Sequence, residues 1–112
     1  MVVVYGPETH SDAILQAMCD AGAGTVDDGR YDRVAYVSRA TCHYRVLPGA
    51  SAEAGEAGRE HRTVESRLEA ICRHDRVAKV IEAICAVHPY QTPAIAIYPT
   101  LSAEFRYWQD AR

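Results

Sequence analysis

Apolar and polar residues follow two rhythms along this chain, and the rhythm changes at Gly and Pro. Residues 2–5, Val-Val-Val-Tyr, form an unbroken β-branched and aromatic run closed by Gly6-Pro7, the composition of a buried strand. Beyond it Ile14, Leu15, Met18 and Ala21 recur at helical spacing, with Ser11, Asp12, Gln16 and Asp20 on the other side, so a helix is expected over 8–21. Pro7 and Glu8 suit its first turn, because Pro gives up no useful N–H there and an acid faces the positive end of the helix dipole. Gly22 is placed to close it in the left-handed conformation.

Residues 33–38 and 41–47 are both β-prone and read as a hairpin turning at Arg39-Ala40. The stretch 48–61 is rich in Gly, Ala and Glu with no period, and a long mobile loop is expected there. In 63–72, Val64, Leu68, Ala70 and Cys72 share one strand face, opposite Glu65, Arg67 and Glu69. Asp75 is the expected N-cap of a second helix whose Val77, Val80, Ile81, Ile84 and Cys85 form an apolar stripe. Pro89 stops that helix at His88. A last strand, 94–98, lies between Pro93 and Pro99, and the tail 101–112 offers Leu101, Phe105 and Trp108 for one side of a short helix.

The order strand, helix, hairpin, long strand, helix, strand predicts an α+β fold. It is a ferredoxin-like βαββαβ antiparallel sheet with both helices on one face, plus an extra hairpin strand. A sheet with one wet face should alternate apolar and polar residues. The first and last strands do not, being apolar on both faces. Two helices cover one side only, so the other side is expected to be covered by further copies of the chain.

At 112 residues the whole of 1–112 is expected to form one domain. The net charge of −3 argues against sequence-independent nucleic-acid binding, and no apolar run reaches the length of a membrane span. The N-terminus lacks a basic, signal-like start. The four cysteines show no C-x-x-C pairing, so a reduced, cytoplasmic protein is expected. Cys72 and Cys85 are read as small buried hydrophobes. Cys42 beside His43 is the only adjacent Cys–His pair with metal-ligand potential.

In the expected chain trace the first helix starts at the sheet end where the second finishes. That places His10 and His88 on one rim near Glu8 and Tyr90. Two imidazoles and a carboxylate suit zinc, copper or nickel, so His10 and His88 are candidate metal ligands with Glu8 and Tyr90 in support. The competing role for both histidines is structural, as hydrogen-bonding caps. His43, His61 and His74 are read as solvated. Arg59, Arg62 and Arg67 have the charge to hold an anion, but they alternate with Glu56, Glu60, Glu65 and Glu69, which favours a salt-bridged surface. No phosphate-binding loop, nucleophile elbow or His-Glu-x-x-His motif occurs, so no enzyme activity is expected.

Several of these segments resemble one family. They are Pro7-Glu8-Thr9-His10, Ala21-Gly22-Ala23-Gly24, Pro48-Gly49-Ala50 with Gly55 and Gly58, Val64-Glu65-Ser66-Arg67-Leu68-Glu69 and His88-Pro89-Tyr90-Gln91-Thr92-Pro93-Ala94. They are similar to the small YqfO-like domain, found alone and as the insert in proteins of the Ngg-one-interacting-factor-three family. The resemblance spans about residues 2 to 100. It implies a ferredoxin-like fold similar to the divalent-cation-tolerance protein CutA, and a homotrimer. Gln91 stands where the family usually has Glu, and 33–46 matches poorly. Longer relatives carry a dinuclear metal centre in flanking domains, so their hydrolase-type activity is not carried over to this stretch. The expected function is a small oligomeric protein that binds a divalent metal or small ligand at the His10–His88 rim. The alternative is a non-catalytic interaction module that docks a protein partner.

Overall fold

A computed structural model describes residues 1–26, 29–50 and 55–100. The expected tail helix over 101–112 and the middle of the expected loop lie outside those residues. The described chain runs β1 (Val2–Pro7), a 3-10 turn (Glu8–His10), α1 (Ser11–Asp20), β2 (Tyr36–Arg45), β3 (Glu60–Ala70), a second 3-10 turn (His74–Arg76), α2 (Val77–Val87) and β4 (Ala94–Ile97). Every strand pairing is antiparallel and the sheet order is β2-β3-β1-β4. This is the expected ferredoxin-like fold.

One side of the sheet holds the core. Val2 and Val4 of β1, Leu68 and Ala70 of β3, Ile14 and Met18 of α1, and Val80 and Ile84 of α2 are all fully buried together. Each large side chain among them contributes about 1.5–3 kcal/mol of burial. α1 ends as its sequence directs. Gly22 adopts φ 114°, its N–H donates to the Cys19 carbonyl, and the Ala23 N–H donates to the Met18 carbonyl, closing the last turn in a Schellman motif. His88 is extended, with ψ 133°, as the following Pro89 requires.

Four local expectations are corrected. Residues 33–38 and 41–47 do not form a hairpin, and the sheet has no extra strand among the described residues. β2 runs straight through Arg39 and Ala40, which pair with Ser66 and Glu65. That dipeptide has no residue suited to the positive φ of a tight hairpin turn, so the β-prone segments fuse and turn only beyond Arg45. β3 begins at Glu60, two residues inside the stretch expected to be loop. Cys85 is exposed, because Val80 and Ile84 alone are the buried positions of α2. Asp75 does not cap α2; it lies within the 3-10 turn and pairs with Arg73 at the surface.

Cross-strand partners share a face, so the register fixes the other side of the sheet. Its rows read Tyr36–Glu69–Val3–Ala96, then Ser38–Arg67–Tyr5–Ala94, then Ala40–Glu65–Pro7, then Cys42–Thr63 and Tyr44–His61. No helix lies over this face among the described residues. β1 pairs with β3 only from Glu65 to Ala70. Residues 41–45 and 60–64 therefore continue as a two-stranded ribbon beyond the four-stranded sheet.

Candidate functional site

The rim where β1 ends carries the residues singled out in the sequence. His88 follows α2 and is 7% exposed. Its Nε2–H donates to the Tyr5 carbonyl at 2.7 Å, and its Nδ1 accepts the Tyr90 backbone N–H at 3.1 Å. Because Nδ1 accepts, the hydrogen-bond network assigns the ring proton to Nε2. The site depends on Gly6, which sequence reasoning took only as the end of a strand. A Cβ on Gly6 would come within 2.8 Å of Ile14 Cδ1 and 3.0 Å of His88 Nε2. Glycine at this strand position lets the imidazole reach the backbone of β1.

Tyr90 then reaches the helix-free side. Its hydroxyl donates to Glu65 Oε2 at 2.8 Å, and its ring meets His88 edge-on with centroids 5.0 Å apart. Glu65 is 6% exposed, and a carboxylate so enclosed needs such a donor. Burial of the hydroxyl, then its bond to Glu65 and that carboxylate's charge, push the Tyr90 pKa up to about 12. Burial, followed by the Glu65 charge, also raises the Cys42 thiol above its ordinary value. Cys42 is thus a protonated thiol at neutral pH, and the adjacent Cys42-His43 pair is split, since successive residues of a strand point to opposite faces.

The other rim residues go elsewhere. Glu8 pairs with Arg39 at 3.0 Å, and His10 Nδ1 lies 3.0 Å from Thr9 Oγ1. The rim therefore joins His88 with Tyr90, and Tyr90 with Glu65, while His10 bonds Thr9 and Glu8 pairs with Arg39 instead of with either histidine. For a metal the fit is poor. Both ring nitrogens of His88 are in use, and no group of three or more His, Cys, Asp and Glu among the described residues is placed to hold an ion. A metal at His88 would have to replace one of two backbone hydrogen bonds.

Sequence reasoning missed Glu65, Tyr5, Arg67 and His61. The sequence pattern places Glu65 and Arg67 on a solvated strand face. In fact Arg67 Nε donates to the Tyr5 hydroxyl at 3.1 Å and its Nη1 pairs with Glu69 at 2.8 Å. His61, read as solvated, is half-buried and stacks on Tyr44 with centroids 5.2 Å apart. The signal that was available is register: once β2 and β3 are one long pair, Tyr44 and His61 fall directly opposite each other.

Comparisons with known proteins bear on the fold and on ancestry. No family model matches the chain. Proteins named GTP cyclohydrolase 1 type 2 homolog match it in Mycobacterium tuberculosis, 33% identical over 96 residues, and in Bacillus subtilis, 33% identical over 98 residues. These matches cover 86% and 88% of this chain but 25% and 26% of the relatives; the chain spans about a quarter of their length. A Bacillus cereus protein related to NIF3 superposes with a TM-score of 0.77 at 33% identity, over 88% of this chain and 24% of that one. The CutA protein of Archaeoglobus fulgidus, described as a periplasmic divalent cation tolerance protein, superposes with a TM-score of 0.67. It covers 98% of this chain and 93% of its own, and at 14% identity it shows the shared fold alone. In sequence the chain is similar to about a quarter of the length of these GTP cyclohydrolase 1 type 2 homologs, and in fold it is similar to part of the NIF3-related protein and to CutA.

Proposed function

We propose that this chain is an assembly and binding module whose helix-free sheet face docks against further copies of itself. The observation that carries the reading is the make-up of that face. Ala94 and Ala96, beside the already buried Val3, are small and apolar, while Tyr36 and Tyr98 are exposed at 64% and 53%. The central polar groups are already paired within the subunit, Arg67 with Tyr5 and Glu69, and Glu65 with Tyr90. A face whose charges are satisfied internally can be desolvated at little further cost, and tyrosines supply rigid contact area.

The sheet edges support the same reading. β4 is four residues long and bracketed by Pro93 and Pro99, which blunts it. β2 is ten residues long, contains no Pro and has its outer edge unpaired among the described residues. Its distal half belongs to a two-stranded ribbon, a structure of marginal stability by itself in water. Docking of copies would cover both the edge and the ribbon, and a homotrimer is the assembly that the family resemblance implies. The metal reading of the rim is set aside because His88 is fully engaged by backbone.

Amide hydrogen exchange tests the proposal on the intact chain. In the assembly the outward N–H groups of β2 are protected as strongly as those of β3. Exchange of the β2 edge at the rate of an unprotected loop would overturn it.

A further inference from the structure

The ribbon that projects from the sheet carries a feature that neither the rim nor the tyrosine face uses. Its helix-side face, the one opposite Tyr44 and His61, holds His43 directly across from Arg62 and Arg45 directly across from Glu60. His43, Arg45, Glu60 and Arg62, with Tyr44 and His61, line a cavity of about 400 Å³, within the range of small-ligand pockets.

The charges there are unbalanced. Arg39 is matched by Glu8, Arg59 by Glu56 and Arg67 by Glu69. Arg45 and Arg62 form no ion pair among the described residues, although Glu60 shares their face. Arg45 and Arg62 are diagonal neighbours across the ladder, and two like charges at that spacing repel. A bound dianion would reverse the sign of that interaction. Guanidinium groups present forked N–H donors that match phosphate oxygens two at a time, and the His43 imidazole adds a third donor on the same face.

We infer that this cavity binds the phosphate group of a small ligand, with Arg45 and Arg62 as the anion-holding residues and His43 beside them. Glu60 opposes the charge and limits affinity, which keeps the site exchangeable. The inference is separable from self-assembly, because His43, Arg45, Glu60 and Arg62 alternate with Tyr44 and His61 along the two strands and so lie on the ribbon face opposite that pair.

The test is a titration of the isotope-labelled chain with inorganic phosphate and, separately, with ribose 5-phosphate, followed by backbone amide and arginine side-chain resonances at physiological salt. Saturable shifts confined to residues 43–45 and 60–62 are expected. Arg62→Gln and Arg45→Gln should each weaken binding about tenfold or more, and Glu60→Gln should tighten it. All three positions are exposed, so the variants should keep the parent spectrum elsewhere. Equal affinity for the two compounds identifies the free ion as sufficient, and tighter binding of the ester identifies a phosphorylated metabolite as the ligand class. Shifts that stay linear with concentration, or that persist unchanged in both arginine variants, would overturn the inference. Measuring the assembly mass in the same samples separates this outcome from failure of the docking proposal.

Discussion

The Nε2–H of His88 donates to the backbone carbonyl of Tyr5 at 2.7 Å, across 83 residues of chain. This bond fastens the end of α2 to the central strand β1, and Gly6 leaves the space for it. Gly6→Ala is expected to destabilise the fold by about 1–3 kcal/mol, since a methyl group there overlaps both Ile14 and the imidazole. Urea unfolding measures the loss. Nitrogen chemical shifts of the His88 ring supply a second readout: the parent shows a neutral ring protonated on Nε2, and the variant loses that signature.

Tyr90→Phe removes the hydroxyl that serves the buried Glu65 carboxylate. A destabilisation of about 1–3 kcal/mol is expected, the range for leaving a buried polar group without its partner. The same bond has a consequence at high pH. The Tyr90 pKa is raised from 10.0 to about 12 in the folded chain, so above pH 10 the unfolded chain gives up this proton first. The contribution is complete below pH 10 and is lost as pH rises towards 12. Absorbance titration should show one of the seven tyrosines ionising late. Tyr90→Phe should remove that late step and flatten the fall in stability between pH 10 and pH 12.

Zinc and copper should give no saturable heat at micromolar concentration when titrated into metal-free chain. Ligation at His88 would cost either the bond to Tyr5 or the bond from Tyr90, and no cluster of three ligand residues is placed to compensate among the described residues. Stoichiometric binding that disappears in both His10→Ala and His88→Ala would reinstate the rim as a metal site.

The architecture was readable because its signals are local and periodic. The stripe Ile14, Met18 and the stripe Val80, Ile84 announce two helices that must be buried on one side, and strand order follows from packing them on one sheet. The β2 strand was misread because Arg39-Ala40 interrupts the apolar pattern without containing a turn residue. What decides its course is pairing with Ser66 and Glu65, residues 27 and 25 positions away, and the chain pattern does not encode that register directly. Roles at the rim were hidden for a related reason. His88 and Tyr90 are visible as a His-Pro-Tyr motif, but their partners are a backbone carbonyl and a glutamate on another strand. A backbone acceptor leaves no mark in a sequence. Glu65, placed between Val64 and Ser66 in an exposed-looking alternation, gives no hint that its carboxylate is enclosed.

Sedimentation equilibrium on the unmodified chain at low micromolar concentration addresses the docking of subunits most directly. A single species whose mass is an integral multiple of 12.4 kDa, reduced to one subunit by Tyr36→Glu, is the predicted result. A stable 12.4 kDa particle with native spectra across the whole concentration range would contradict it.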